Sequence, residues 1–360
     1  MPLVLGGSSA AAAAYDVDNS CQFNASDDTM YKNPPGAGNQ KTFTYSCWVK
    51  KTKAGARQGI INVNGSSDPY FFVEFIASDA IDIQDYDGSQ DTNLITTRFF
   101  RDVGAWYHIV VAYDTTQAVD TDRIKLYVNG VHETLFSTST YCAQDFVTQM
   151  NSTNTLYIGR AATQFFGGYQ AEVCVIDGLQ LDASSFGEFD SNSPTVWKPK
   201  DISALTPGTN GFYLDFKDSA NLGNDAFGGL DFTEDNIAAI NQMVDTPTNN
   251  FATFNSNDDY MQNIVYTNGD TTLTTLAGGY LAPGMSTLGM FAGKWYFEAK
   301  ANDIHNIIGV ISTQVTQTGQ YLGNMPNDWG YYGSNGNKYN NGSSLLMEIL
   351  TLLQTLLELH

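Results

Sequence analysis

Residues 15–180 consist of short segments in which apolar and polar residues alternate, and clusters of turn-forming residues separate them. Alternation with a period of two is the pattern of a half-buried β-strand. Roughly eight or more such strands follow one another without a convincing amphipathic helix, and this spacing favours a β-sandwich or jelly roll. In KTFTYSCWVK (41–50), the side chains predicted to share one face are Phe43, Tyr45, Cys47 and Val49.

The clearest hairpin in the sequence joins the strand segments on either side of Asn129-Gly130. This dipeptide stands between Leu126-Tyr127-Val128 and Val131. Both residues tolerate a positive φ, which a two-residue hairpin turn requires. The segment WYHIVVAYD (106–114) precedes this hairpin and is predicted to be a further strand.

The charge balance limits the partners of the chain. It has 17 Lys+Arg against 38 Asp+Glu, a net charge of −21 and a pI near 4.2. Nucleic acid and anionic membranes would repel such a protein. No stretch reaches the roughly 18–20 apolar residues that a membrane span needs. The sequence therefore predicts neither nucleic-acid binding nor membrane insertion.

The four cysteines are widely spaced and form no CxxC pair. Three lie in apolar or alternating runs, which favours buried, reduced side chains over a zinc site. A disulfide between the early strands remains an open alternative. The cysteines are Cys21, Cys47, Cys142 and Cys174.

The order of motifs over residues 15–185 resembles the laminin-G-like, concanavalin-A-type jelly roll. These motifs are TFTYSCWVKK, GAWYHIVVAYD, IKLYVNG, LYIGR and FGGYQAEVCVIDGLQL. A departure is Gln170-Ala171-Glu172-Val173, where the family usually has Ile-Asp/Ala-Glu. The resemblance implies an all-β jelly-roll sandwich over residues 1–205.

Other segments resemble tail-associated and other virion proteins of bacteriophages, many of them from marine viruses. They are AAAAAYDVDNSCQFN, GFYLDFKDSANLGND and DTPTNNFATFN. In such proteins a SPRY-like β-sandwich commonly follows the jelly roll, and KWYFEAKAN with IIGVIS is similar to its opening strands. The resemblance thus implies a linker with a partial β segment (206–256), a truncated SPRY-like domain (257–342) and a leucine-rich tail (343–360).

The tail holds eight leucines in residues 343–360 and no glycine, asparagine or aromatic residue. We interpret Met347–His360 as a frameshift product, because its codons can be chosen so that the frame one base upstream encodes the SPRY-like strand sequence YGDTYTSADIIGVA. The alternative is an amphipathic helix that is capped by Ser343 or Ser344 and buries leucines between subunits. The nucleotide sequence past codon 344 distinguishes them, since an early stop in the shifted frame would exclude the frameshift.

The acidic loop IDIQDYDGSQDTN (81–93) is the best candidate for a binding site. Its carboxylates surround Gly88 and offer the hard oxygen ligands that Ca²⁺ prefers, while its tyrosine can stack on a sugar ring. The alternative is a solvated loop on an already acidic protein. The predicted ligand-binding residues are Asp85, Tyr86, Asp87, Asp91 and Asn93, and the predicted calcium ligands among them are Asp85, Asp87 and Asp91.

The sequence predicts no catalytic residue. A retaining glycosidase needs two carboxylates about 5–5.5 Å apart. Glu188-Phe189-Asp190 lacks a further glutamate, and Glu74 stands alone in FFVEFIAS. His108 alternates with apolar residues and is interpreted as a core histidine with satisfied hydrogen bonds.

The resemblance implies a non-enzymatic virion protein, such as a tail fibre, adhesin or surface appendage, that binds host-surface carbohydrate. Its expected partners are other virion proteins, host-surface glycans and further copies of itself, and Ca²⁺ is the one cofactor considered. The alternative is a purely structural decoration or assembly module without a ligand. A glycan-depolymerising enzyme is a third hypothesis, against which the lack of a carboxylate pair argues.

Overall fold

The computed structural model describes residues 15–65, 68–256, 264–275, 284–290, 294–311 and 321–346. Contacts divide the chain into two compact units. The sandwich unit is Ala10–Asn250, and the second unit comprises Met1–Ser9 and Phe251–His360. The predicted all-β class is confirmed.

The sandwich unit contains two eight-stranded sheets, whose strands are numbered in chain order. The first sheet has the order β10-β9-β8-β3-β15-β1-β20, with β18 also paired to β15. Its strands are β1 (Ser20–Asn24), β3 (Thr42–Lys51), β8 (Tyr107–Asp114), β9 (Ile124–Val128), β10 (Val131–Glu133), β15 (Gly167–Asp177), β18 (Phe212–Leu214) and β20 (Gln242–Met243).

The second sheet has the order β11-β7-β6-β5-β4-β12-β2-β19. Every pair that defines this order is antiparallel. Its strands are β2 (Thr29–Lys32), β4 (Gln58–Val63), β5 (Tyr70–Phe75), β6 (Ile81–Tyr86), β7 (Gln90–Thr96), β11 (Phe136–Thr140), β12 (Leu156–Ile158) and β19 (Thr233–Asp235).

Short elements lie between the strands of the two sheets. Two-stranded ribbons form from β13 with β14 and from β16 with β17. Within the residues that the structure describes, the helical elements are one single-turn helix and two 3₁₀ turns. The bounds are β13 (Arg160–Ala161), β14 (Gln164–Phe165), β16 (Gly187–Phe189), β17 (Trp197–Pro199), α1 (Asp120–Arg123), and 3₁₀ turns at Ala183–Ser185 and Ala239–Asn241.

The main core lies between the two sheets and is formed by alternate residues of each strand. The predicted face of β3 is confirmed, because all four of its side chains are buried in this core. The alternation of the facing strands places aromatic and β-branched side chains opposite them, as a pleated, half-buried surface favours. Members of the core include Phe43, Tyr45, Cys47, Val49, Phe71, Val73, Phe75, Ile81, Ile83, Leu94, Ile109, Val111 and Tyr113.

The predicted hairpin turn is confirmed at Asn129-Gly130. The φ angles are 49° at Asn129 and 78° at Gly130, and Val128 pairs directly with Val131. A side chain at Gly130 would also collide with the ring of Trp197, since an added Cβ would lie 2.3 Å from a ring atom. Glycine is therefore required here both by the turn and by the close approach of the indole.

Residues 206–250, which we call the closing segment, belong to the sandwich rather than to a linker. Here the structure differs from the expected boundary near residue 205, because β18 pairs with β15, β19 with β2 and β20 with β1. Each of these strands has only two or three residues. Such segments are too short to show periodicity, and the turns rich in Gly, Asn and Asp around them look like a linker.

A buried ion pair links the closing segment to the first sheet. Lys50 Nζ lies 2.7 Å from Asp245 Oδ2, and the lysine side chain is fully buried. The other carboxylate oxygen of Asp245 accepts a hydrogen bond from Trp106 Nε1 at 2.9 Å, and its backbone oxygen accepts one from Ser20 Oγ at 2.6 Å. A buried charge needs this kind of compensation, because desolvation alone strongly disfavours it.

His108 is a core histidine with satisfied hydrogen bonds, as the sequence predicts. Trp197 Nε1 donates to His108 Nδ1 at 2.9 Å, and Ser46 Oγ lies 2.9 Å from His108 Nε2. The proton of the neutral ring therefore resides on Nε2 and is donated to the serine. Burial lowers the pKa of His108 to about 3.

At every pH above about 4 at which the protein is folded, we expect the His108 ring to be the neutral Nε2–H tautomer. Nitrogen-15 NMR of the imidazole ring measures this directly. A titration of His108 between pH 5 and 7 would contradict the assignment. His305 provides an internal comparison, because its side chain is exposed.

The four cysteines are buried and free, which confirms the prediction of reduced core side chains. None of the described helices is both long and apolar enough to cross a membrane.

The second unit has a two-stranded and a four-stranded sheet among its described residues. The expected strand KWYFEAKAN is not formed at residues 294–302, where Tyr296 and Phe297 are exposed. These two aromatic side chains are therefore not buried in a core. The strands are β21 (Ile264–Thr267), β22 (Thr272–Thr275), β23 (Ile307–Ile311), β24 (Asp328–Tyr332), β25 (Asn337–Asn340) and β26 (Ser343–Leu346).

The start of the leucine-rich tail is a strand rather than a helix. Ser343–Leu346 pairs with Asn337–Asn340, so neither Ser343 nor Ser344 caps a helix. The remainder of the tail, 347–360, lies outside the described residues.

Candidate functional site

The outer face of the second sheet carries rows of polar and aromatic side chains. Cross-strand partners in antiparallel strands lie on the same face, so the register defines each row. The first row pairs Tyr70 with Tyr86. The next two rows, in strand order β4 to β7, are Asn62–Phe72–Gln84–Asn93 and Gly59–Glu74–Asp82–Ile95.

Three aromatic rings stack at one end of this outer face. The Tyr70 ring lies 5.1 Å from that of Tyr86 and 5.3 Å from that of Phe72, with interplanar angles of 12° and 14°. The two tyrosines are half-buried, whereas Phe72 is 7% exposed. The Tyr70 ring thus contacts both neighbouring rings, and the two tyrosine rings remain partly accessible.

Polar side chains beside the stack are connected by hydrogen bonds. Gln84 Nε2 donates to Asp82 Oδ2 at 2.7 Å, and Tyr70 OH donates to Gln84 Oε1 at 3.5 Å. Arg57 donates through Nε to Glu74 Oε1 at 2.8 Å. The exposed Arg57 side chain therefore neutralises a glutamate that is itself fully buried.

Glu74 and Asp82 form a carboxyl pair on neighbouring strands. They are direct cross-strand partners, and both are buried. Burial raises the pKa of Asp82 to about 7, and the charge of Glu74 raises it further against the opposing hydrogen bond from Gln84. Burial also raises the pKa of Glu74, and Arg57 opposes that shift. A proton on Asp82 near neutral pH thus avoids two adjacent negative charges.

Four acceptor oxygens on this face have no hydrogen-bond partner. The two amide oxygens and the glutamate oxygen are satisfied only by a donor, whereas the aspartate oxygen is itself a donor when Asp82 is protonated. An enclosed acceptor without a donor costs about 1–3 kcal/mol. The four atoms are Asn62 Oδ1, Glu74 Oε2, Asp82 Oδ1 and Asn93 Oδ1.

The structure brings only part of the predicted loop site to this face. Tyr86 and Asn93 lie on it, half-buried. Asp85 differs from the expectation, because it continues the core-facing alternation of Ile81 and Ile83 and is fully buried. Its Oδ2 accepts a hydrogen bond from Gln149 N at 3.2 Å, and burial raises its pKa well above the usual range.

The other two predicted carboxylates lie near the surface of the β6–β7 turn. Ser89 Oγ donates to Asp87 Oδ1 at 3.4 Å and to Asp91 Oδ1 at 3.2 Å. Partial burial and the neighbouring Asp87 raise the pKa of Asp91. Across the described parts of the chain, no group of three or more His, Cys, Asp or Glu side chains has an arrangement that holds a metal ion. The three aspartates therefore do not form a calcium-ligand group in this structure.

Sequence reasoning missed the partners on β4 and β5. Glu74 was interpreted as isolated, although Asp82 lies directly opposite it. Tyr70 and Phe72 were not assigned to the site. The alternation in YFFVEF and IDIQDY, aligned as a hairpin around residues 76–80, is the signal that pairs these residues.

Comparisons with known proteins bear on the fold. A laminin-G-like model of the concanavalin A-like lectin/glucanases superfamily matches residues 24–180. No curated protein sequence matches the chain.

Several solved structures resemble the chain at low similarity. A proposed carbohydrate-binding protein from Bacteroides ovatus has a TM-score of 0.41 and 18% identity, and the aligned region covers 64% of this chain and 60% of that protein. The heptameric SAP-like pentraxin of Limulus polyphemus has a TM-score of 0.35 and 13% identity, and the aligned region covers 47% of this chain and 80% of the pentraxin. Domains LG4-5 of mouse laminin α1 have a TM-score of 0.32 and 12% identity, and the aligned region covers 56% of this chain and 49% of the laminin domains.

The chain thus spans about 60% of the length of the Bacteroides protein. Together, the two-sheet architecture and the family match show that the chain contains an all-β, laminin-G/concanavalin-A-like sandwich domain.

Proposed function

We propose that the sandwich unit is a non-enzymatic glycan-binding module, and that the outer face of its second sheet binds the sugar. The observation that carries this proposal is the stack of Tyr70, Phe72 and Tyr86, in which the two tyrosine rings remain partly accessible. A sugar offers apolar C–H surface to an aromatic ring and hydroxyl donors to acceptors. The name of the matched superfamily, which includes lectins, supports the same chemistry.

The charge of the protein favours a neutral ligand. The net charge is −21, and the site itself contains the carboxyl groups of Glu74 and Asp82 with Arg57 as the counter-charge. An acidic sugar would be repelled by this field. A neutral glycan is therefore the better complement.

The setting that we propose is a bacteriophage virion, in which the chain is part of a tail fibre, adhesin or surface appendage. The support for it is the sequence resemblance described above. In that setting the partners are other virion proteins and host-surface glycans. Several copies on one appendage would convert weak single sites into strong attachment, because linked sites bind with a high effective concentration.

Tyr86→Ala is expected to weaken glycan binding at least about tenfold, which corresponds to about 1.4 kcal/mol of lost stacking energy. Tyr86 lies at the end of its strand and is half-buried, so the fold should tolerate the change. The measurement is a glycan array with the full chain, followed by calorimetry on the strongest neutral glycan. Phe99→Ala is the matched control, since Phe99 is an exposed aromatic residue outside the outer face.

An array without binding at high avidity, with and without Ca²⁺, would instead support the purely structural role. Binding that needs Ca²⁺ and is lost in Asp87→Asn would show that the acidic loop, rather than the outer face, is the binding site. Equal losses in Tyr86→Ala and Phe99→Ala would show that the outer face is not the site.

A further inference from the structure

A second concave site lies on the outer side of the first sheet. This groove has a volume of about 490 Å³ and is formed by the β9–β10 turn, the 3₁₀ turn at Ala183–Ser185 and the β16–β17 ribbon. Ligand sites typically have volumes of about 300–1,000 Å³. Its side-chain lining includes Tyr127, Asp182, Glu188, Phe189, Trp197 and Lys200.

Trp197 is held in one orientation within this groove. Its indole N–H donates to the buried His108, and its ring packs against Gly130 and Gly187. An added Cβ at Gly130 or Gly187 would lie 2.3 Å or 2.6 Å from the nearest ring atom. The polar atom of the indole is thus paired in the interior, and the carbon surface of the ring remains to line the groove.

Two further aromatic residues extend this surface. The Phe189 ring contacts Trp197 edge-on at 4.9 Å, and the Phe189 side chain is 45% exposed. Tyr127 is half-buried, and its ring lies 5.1 Å from that of His132. An exposed phenylalanine that contacts a fixed indole offers apolar contact area at a low cost in conformational entropy.

The polar rim of the groove carries both signs of charge. Asp182 Oδ1 accepts hydrogen bonds from the backbone N and hydroxyl of Ser184, and Lys200 Nζ donates to Ser184 O at 3.4 Å. Glu188 Oε1 lies 3.3 Å from Lys198 Nζ. The rim therefore offers exposed donors and acceptors in a small space, which suits a ligand whose hydroxyl groups both donate and accept.

We propose that this groove is a second sugar-binding site, which takes a neutral mono- or disaccharide. The apolar face of the sugar ring rests on Trp197 and Phe189, and its hydroxyl groups bond with Asp182, Glu188 and Lys200. This site is separate from the outer face of the second sheet and does not depend on the function proposed for that face. A chain with two sites on different sheets would bind two glycan branches, or two strands of a polysaccharide.

The test uses the full chain carrying Tyr70→Ala and Tyr86→Ala, which removes the aromatic stack of the other site. Saturation-transfer NMR measures binding of lactose, cellobiose, maltose and methyl α-mannoside. We expect at least one of these sugars to bind, and Phe189→Ala in the same background to weaken its binding at least fivefold.

Each outcome separates the two sites. Binding in the wild-type chain that disappears in the Tyr70→Ala/Tyr86→Ala background would overturn the groove proposal and support the outer face. Binding that is the same in both backgrounds and is lost in Phe189→Ala would support the groove and contradict the outer face. Failure of all four sugars to bind the double variant, or binding that Phe189→Ala leaves unchanged, would overturn the groove proposal.

Discussion

Replacement of Asp245 by alanine is expected to lower the free energy of unfolding of the sandwich unit by about 3–5 kcal/mol. The change removes the carboxylate that lies 2.7 Å from the fully buried Lys50 Nζ. Lys50 keeps a hydrogen bond to Asn250 Oδ1 at 2.8 Å but loses its negative partner. Trp106 Nε1 loses its acceptor at the same time. Urea denaturation followed by near-ultraviolet circular dichroism measures the change.

Two further variants identify the origin of this loss. Asp245→Asn keeps the shape and one acceptor oxygen, so it should cost less than alanine while still removing the charge. Asp122→Ala removes a surface pair with Lys125 at 3.2 Å and should change the free energy of unfolding by no more than about 1 kcal/mol. A loss in Asp245→Ala that is no larger than the loss in Asp122→Ala would show that the buried pair does not stabilise the closing segment.

The stability of the sandwich unit is expected to fall by about 5 kcal/mol as the pH rises from 5 to 8. Three buried carboxyl groups account for a loss of about 7 kcal/mol, and His108, whose pKa burial lowers to about 3, offsets about 2 kcal/mol of it. Burial raises the pKa of Asp28 to about 6 and those of Asp82 and Glu172 to about 7. Each folded-state pKa lies above the unfolded value. The folded state therefore binds more protons between these values, and its free energy of unfolding decreases with pH. The contribution is fully present near pH 4 and is lost as the pH passes through 6 and 7.

Glu172 shows the structural basis of this dependence. It lies at a bulge of β15 with a φ of 51° and accepts hydrogen bonds from Tyr213 OH at 2.7 Å and Tyr15 OH at 3.0 Å. Burial is the largest cause of its raised pKa, and the two hydrogen bonds oppose the shift. Glu172 is thus a buried carboxyl group with two tyrosine donors.

Chemical denaturation at pH 5, 6, 7 and 8 measures the slope of stability against pH. Asp82→Asn and Glu172→Gln should each flatten it, because an amide does not titrate. Asp114→Asn is the control, since hydrogen bonds hold the pKa of Asp114 below its usual range and away from this pH interval. Stability that rises between pH 5 and 8 would contradict the raised pKa values.

Features set by neighbouring residues were predictable from the sequence. The core-facing row of β3 follows from its period-two alternation, and the β9–β10 turn follows from the positive φ that Asn129-Gly130 tolerates. The buried role of His108 follows in the same way, because its neighbours alternate with it. These are local patterns, and they fixed the fold class and the central strands of the first sheet.

Features that join distant parts of the chain were not predictable. Lys50 and Asp245 are separated by 195 positions, and no local pattern links them. The two-residue strand β20 that leads to Asp245 is shorter than one period of alternation can reveal. The Glu74–Asp82 pair required the register of a hairpin. Asp85 was assigned to a loop site because its acidic neighbours in the turn hid the continuing alternation of β6.

The closing segment has a consequence for synthesis on the ribosome. A nascent chain that has emerged only to residue 205 lacks the strands β18, β19 and β20 but contains all the other strands of the two sheets. It also lacks Asp245, the carboxylate partner of Lys50. Such an intermediate has two unfinished sheet edges and a cation that must stay hydrated. The sandwich is therefore expected to close only after Asp245 has left the exit tunnel, so that folding of this unit follows translation of the segment beyond its family-matched region.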